Sequence, residues 1–316
     1  MARSTSSTDR AFYLGSGTFA AVIVAIVLLI AGVLVYESLL SVKTFGFTFW
    51  STSTWDPVMG EFGAFPFIWG TLYSSFLALL IAAPVALGIA IFLSELCPDW
   101  LRTPLTFLTE LLAAIPSIVY GLWGIFVLVP FVRELQMSLP EWLTALPMFS
   151  GPPVGVSMLS AALVLAIMIV PFTSSVAREV LRAVPSSQRE ASYALGATKW
   201  EATRSALYFA RTGIIGSVML GLGRAIGETM AVTMVIGNRP TASWSLFEPQ
   251  YTMAAVIANE FAEAADDLHL SALIEVGLVL FTITLIINVA SRLLIWQMTR
   301  QRTQKAVEPT PSEVAA

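Results

Sequence analysis

The sequence predicts an all-α polytopic membrane protein with six transmembrane helices. Three observations carry that prediction: 56% of the 316 residues are hydrophobic, only 12% are charged, and the apolar residues gather in runs long enough to cross a bilayer. A soluble domain carries roughly 25% charged residues, and one helical crossing takes about 20 mostly apolar residues. The mean hydropathy of +0.78 agrees.

The first span reads from Leu14 to Tyr36, with no charge between Arg10 and Glu37. Its apolar run exceeds the roughly 7–15 residues of a signal-peptide core and no A-x-A pattern follows, so a retained anchor is expected. The second span lies within Phe65–Ser94, the third within Pro104–Pro130 and the fourth within Val154–Ala177. The fifth is Thr212–Asn238 and the sixth runs from about Ser271 to Gln297. Pro84, Pro116 and Pro171 fall inside spans, where each removes a helix hydrogen bond and reads as a kink or as a hinge beside a path. Residues 1–64 then hold a polar tail, the first span and an outer loop, and residues 65–300 hold the transmembrane core with a long loop at 178–212. The Pro, Ser and Glu content of residues 301–316 is that of a disordered tail.

Thirteen of the seventeen Lys and Arg residues fall on one side of this topology, six of them between Arg178 and Arg211. The other side holds Lys43, Arg133 and Arg239, and Arg224 lies within the membrane. Basic residues stay on the cytoplasmic side, so both termini are expected there. In the outer loops, Glu260, Glu263, Asp266 and Asp267 read as a solvated helix surface. Trp50, Trp55 and Trp69 read as outer-interface residues.

Several functions drop out. One Cys (Cys97) and one His (His269) offer neither a disulfide nor metal-ligand spacing. No catalytic residue, cofactor or metal is therefore assigned. A net charge of −4 speaks against nucleic acid, and no G-x-x-x-x-G-K-[ST] loop is present to hydrolyse ATP. The chain reads as a conduit.

Within the long loop, Ser186–Ser187 after Pro185 offers a helix N-cap, and Gly196 offers a turn before a second helix. Ala191, Tyr193 and Leu195 are too apolar for a solvated linker, so the pair reads as a knob for another protein. The stretch EASYALGATKW (Glu190–Trp200) resembles the EAA loop (E-A-A, three residues, G) of bacterial ATP-binding-cassette importer permeases. That resemblance implies docking into an ATPase subunit through Glu190, Ala191 and Gly196. The family's loop closes with Leu-Pro, whereas this chain reads Leu207-Tyr208, which shifts the expected end of the motif.

ELLAAIPSIVYGLWG (Glu110–Gly124), FSGPPVG (Phe149–Gly155), LAIMIVP (Leu165–Pro171) and GLGRAIGETMAV (Gly221–Val232) are similar, in that order, to the PstC-type permease family of phosphate importers. The likeness covers roughly Phe65 to Arg300. It implies a type I ABC importer permease fold in the bacterial cytoplasmic (inner) membrane and phosphate as cargo. The implied partners are a sister permease (PstA type), two ATPase subunits (PstB type) and an extracytoplasmic phosphate-binding protein (PstS type).

GLGRAIGETMAV also poses the sharpest physical question. Twelve residues from Thr212 put Arg224 about 18 Å into a core roughly 30 Å thick. A charge there costs about 2.5–3.5 kcal/mol on insertion scales, so it needs a partner or a purpose. Ser217, Gly221, Arg224 and Glu228 fall at i, i+4, i+7 and i+11, one stripe of a continuous helix. The bland readings are an Arg224–Glu228 ion pair, or a fixed salt bridge to a sister subunit. The functional reading makes the stripe a substrate path, with Arg224 gripping a phosphate oxyanion bidentately. Glu228 would accept a hydrogen bond from the proton that phosphate carries near neutrality and sulfate does not. Two alternatives stay open: a permease for another oxyanion such as sulfate or molybdate, and a proton-coupled carrier using Glu228.

Overall fold

The structure, a computed structural model, describes residues 7–307. Its helices are α1 (Ser7–Glu37), α2 (Leu39–Phe45), α3 (Phe65–Ile91), α4 (Asp99–Ala114), α5 (Ser117–Trp123), α6 (Val129–Ser138) and α7 (Glu141–Thr144). They continue as α8 (Met158–Arg182), α9 (Ser186–Ala194), α10 (Lys199–Ile226), α11 (Met230–Val235), α12 (Met253–Glu260) and α13 (Asp267–Val307). A 3₁₀ turn follows α2, and π turns at Phe92–Leu96 and Gly124–Leu128 extend α3 and join α5 to α6. Six stretches are long and apolar enough to cross a membrane.

α8 is the hub. Its most apolar window is 61% buried, whereas that of α1 is 0% buried, so α1 lies at the periphery against α13. The reason is side-chain size. Ala78, Ala82, Ala86 and Ala90 recur every fourth residue on α3, are fully buried, and form a flat strip. Small residues in one stripe let two backbones approach closely, and α3 packs along α8. Met158, Leu165, Met168 and Ile169 of α8 fill the centre of the bundle. A second core gathers Phe67, Met253 and Leu273 around α12 and α13. A third, of Ala90, Ala177, Leu181, Val184, Ala206 and Ala210, closes the end of the bundle that carries α9.

Two spans differ from the sequence reading. The third starts at Ser117, not Pro104, and continues to Ser138. Ile115 is extended ahead of Pro116, as a residue preceding proline tends to be, and the helix breaks there. The residues before it form α4, an amphipathic helix with no buried residue that lies against α8. Pro84 and Pro171, by contrast, stay inside α3 and α8. The fifth span is not one helix: α10 stops at Ile226, and the chain resumes helical form only at Met230.

Smaller differences follow. Pro185, not a serine, precedes the first residue of α9, and no side chain caps it. Glu260 is only partly exposed: its Oε2 accepts Trp55 Nε1–H at 2.9 Å and meets His269 Nε2 at 3.3 Å. Glu263, Asp266 and Asp267 are exposed. Helix α13 runs through Val307, into the segment expected as a tail, and residues 308–316 lie outside the described residues. Cys97 is buried and unbridged.

Candidate functional site

The break between α10 and α11 gathers the charged residues. Gly227 ends α10, Glu228 and Thr229 are not helical, and Arg224 occupies the last turn before the break. The C-terminal end of a helix favours a cation and the N-terminal end an anion. Arg224 sits at the first kind of end. Glu228 sits at the second, where its Oε1 accepts the Ala231 N–H at 3.2 Å. Among the described residues no ion pair joins Arg224 to Glu228, so the self-neutralising pair is not what offsets the cost of these charges. Ser217, Gly221 and Arg224 do share α10, but Glu228 lies beyond its end.

Packing fixes the depth. Gly213 faces Val180, and a Cβ at Gly221 would stand 2.5 Å from Thr173 Oγ1 and 3.0 Å from Ile169 Cγ2. The two helices are therefore antiparallel, and the first dozen residues of α10 reach past the end of α8. The Arg224 guanidinium lies over the ring of Phe172, at 5.2 Å from its centre. Phe172 is near the middle of the 25-residue α8, so Arg224 sits at mid-depth, as the hydropathy run implied. Its Nε is buried without a hydrogen-bond partner. On the neighbouring α5, the Tyr120 hydroxyl donates to Leu112 O at 2.7 Å and ties α5 to α4. Ser217 is fully buried and donates to Ile214 O, and Gly221 is buried against α8. Those two residues form the helix seam that leads to Arg224.

A second constellation lies at the α9 end. Gly196, at φ +83°, stops α9: its N–H donates to Tyr193 O at 2.9 Å and that of Ala197 donates to Ser192 O at 3.1 Å. This double bond pattern satisfies the last carbonyls and needs a left-handed residue. Thr198 and Glu201 then open α10 with a capping box. Glu190, Ala191 and Gly196 are all exposed, and so are Tyr193, Leu195 and Trp200, with Leu195 at 90%. The result is a helix–turn–helix with an apolar outer face.

The sequence reading missed the contact that holds this element in place. Arg189 Nε and Nη2 donate to Glu95 Oε2 and Oε1 at 3.1 and 2.6 Å. Nη1 and Nη2 also donate to the carbonyls of Val184 and Leu181 at 2.8 and 3.0 Å. Glu95 holds the guanidinium above its ordinary pKa. The available signal was a lone acid closing the second apolar run. Arg178 is likewise buried in α8, paired with Glu110 of α4 and Glu179 at 3.0 Å each.

Residues 82–299 match the family model described as binding-protein-dependent transport system inner membrane component. The chain is 50% identical over 278 residues to the phosphate transport system permease protein PstC of Pasteurella multocida, covering 86% of this chain and 87% of that one. It is 48% identical over 299 residues to the protein of the same name from Mesorhizobium japonicum, covering 92% and 91%. The probable PstC of Methanocaldococcus jannaschii is 37% identical over 281 residues, covering 86% of this chain and 89% of that one. Among solved structures, the MetNI methionine ABC transporter in an inward-facing conformation aligns with a TM-score of 0.57 at 17% identity. That match covers 77% of this chain and 99% of the transporter chain, and it is a likeness of fold.

Proposed function

This chain belongs to the family of binding-protein-dependent transport system inner membrane components, and from that membership we propose how it moves its cargo. It is a multi-pass inner-membrane protein, a permease subunit of an ATP-driven phosphate importer, and not itself an enzyme. An ABC permease works with a partner ATPase. The finer assembly is our reading: a sister permease of the PstA type, two PstB-type ATPases and a PstS-type binding protein outside.

In this reading the α9 end and both termini face the cytoplasm. The exposed Tyr193, Leu195 and Trp200, with Glu190, Ala191 and Gly196, form the knob that an ATPase groove takes. Closure of the ATPase pair moves this knob and opens the path outward; release resets it.

One observation carries the assignment of the cargo site. Arg224 presents a half-buried guanidinium at mid-depth, beside a broken helix, with an aromatic face rather than a carboxylate as its neighbour. Discontinuous helices at mid-membrane are a recurring way to build ion sites, and guanidinium matches phosphate with two parallel bonds. Glu228 commits Oε1 to Ala231 and leaves its other oxygen to accept a hydrogen bond from a proton on the cargo. Phosphate offers that proton near neutral pH, and sulfate does not. Ser217 and Gly221 shape the seam along which α10 meets α8 beneath the cargo.

The test is ATP hydrolysis by the co-purified complex in proteoliposomes, with binding protein carrying phosphate or sulfate. Stimulation by the phosphate-loaded form alone is expected. Equal stimulation by sulfate would sink the role given to Glu228, and the absence of any associated ATPase would remove the importer reading.

A further inference from the structure

Helix α9 has no buried residue of its own. What fastens its middle to the bundle is the Arg189 side chain. That group is 23% exposed and its partner carboxylate 9%. It joins three elements at once: Glu95 in the π turn closing α3, and the Leu181 and Val184 carbonyls that end α8. Both carbonyls stand at the C-terminal end of α8, where a cation is favoured: Leu181 O also accepts the Val184 N–H at 3.2 Å, and Val184 lies two residues past the helix. Directly below lies the small-residue core in which Ala90, Ala177, Leu181 and Ala206 bring α3, α8 and α10 together.

Helices α3 and α8 run in the same direction to this clamp, and each carries one interior proline, Pro84 and Pro171. Both prolines stand about 15 Å from the clamp, at matching depth. A proline interrupts the helix ladder and localises bending. The two helices thus share one stiff terminal segment and one weakened level above it.

Resting on the importer reading above, we propose that Arg189 is a positioning residue that makes α9 and the ends of α3 and α8 one rigid body. ATPase closure at α9 is then delivered to the α3–α8 pair, which bends at the proline level, as well as to α10. Broken, the clamp leaves α9 to swing on its two chain connections, and ATP is spent without moving cargo.

The experiment uses the complete importer in proteoliposomes, with phosphate-loaded binding protein, and records phosphate taken up and ATP hydrolysed together. Arg189→Ala and Glu95→Gln are each expected to lower phosphate moved per ATP by about tenfold, the ordinary size of a coupling between sites. Arg189→Lys, which keeps charge but loses the fork, falls between them and the wild type. A purely structural role would lower the yield of complex and leave that ratio alone. An unchanged ratio in an assembled Arg189→Ala complex overturns the proposal.

A second variant covers failure of assembly. Glu95→Cys with Arg189→Cys, in a Cys97→Ser background, is uncoupled until a bifunctional thiol reagent bridges the pair. Bridging restores uptake per ATP if the elements move as one. If bridging abolishes the remaining uptake, the two residues must part during the cycle and the rigid body is wrong. A wild-type complex without ATP-driven phosphate uptake would fail at an earlier point, that of the importer reading itself.

Discussion

The guanidinium carbon of Arg224 stands 5.2 Å from the centre of the Phe172 ring, and no carboxylate pairs with it among the described residues. A cation over an aromatic face is held by about 0.5–2 kcal/mol, weakly enough, in the proposed reading, to be surrendered to an oxyanion. A carboxylate partner would compete with the cargo instead. Phe172→Leu should leave the complex assembled and reduce uptake by about two- to fivefold, the equivalent of roughly 0.4–1 kcal/mol. Radiolabelled phosphate uptake at matched complex density reads it.

Arg224→Lys keeps the charge and removes the fork. Loss of one bidentate contact at about 2 kcal/mol predicts a fall in uptake of roughly thirtyfold, with subunit stoichiometry unchanged on size exclusion. Full uptake by this variant would leave Arg224 only a structural part.

Glu228→Gln separates two roles that Glu228→Ala confuses. The amide oxygen of Gln can still accept the Ala231 N–H, so α11 keeps its start. Removing that acceptor, as Ala does, costs about 1 kcal/mol in helix stability. We expect Gln to retain thermal stability yet lose discrimination, measured as phosphate uptake in the presence of excess sulfate-loaded binding protein. Wild-type discrimination in Gln counts against the role of Glu228 as hydrogen-bond acceptor for the cargo.

Gly221 is a packing position, because a Cβ there would stand 2.5 Å from Thr173 Oγ1. Gly221→Ala should destabilise by about 1–3 kcal/mol, the usual cost of overpacking. Thr173→Ala in the same chain removes the obstructing oxygen and should recover much of the loss in a thermal melt. Independent, additive losses would show that the contact is not the cause.

A Cβ added at Gly196 would meet nothing within 4 Å, so the bar to a side chain there is conformational alone, set by φ +83°. Gly196→Ala should cost about 1 kcal/mol, and Gly196→Asn less, since Asn enters the left-handed region more readily. The ratio of phosphate uptake to ATP hydrolysis should fall in that order, wild type, Asn, Ala.

Runs of apolar residues made the six crossings legible, and a single Gly in a polar loop was enough to locate the turn after α9. The third and fifth spans show where such reading stops. Leu105, Phe107, Leu108, Leu111 and Leu112 of α4 run on into the apolar α5 with Glu110 as the one charge among them, so hydropathy alone does not announce the break at Pro116. Gly227 is tolerated in membrane helices, and the apolar pattern resumes at once in α11. What parts α11 from α10 is tertiary. A Cβ at Gly121 would meet Met234 and Ala231, and one at Gly124 would meet Val235, so these glycines let α11 dock on the third span. That contact joins residues more than a hundred apart. The Arg189–Glu95 clamp is equally non-local, at a separation of 94 residues.

Helix α10 is unbroken from Lys199 beside the α9 turn to Arg224, a distance of about 37 Å, and holds no proline. Under the proposed mechanism it would act as a lever arm without a joint. A tilt of about 5° around its Lys199 end sweeps the guanidinium through ~3 Å, the length of one hydrogen bond. In the proposed cycle, a small angular stroke at the ATPase would be geared, by length alone, into the difference between gripping an anion and letting it go.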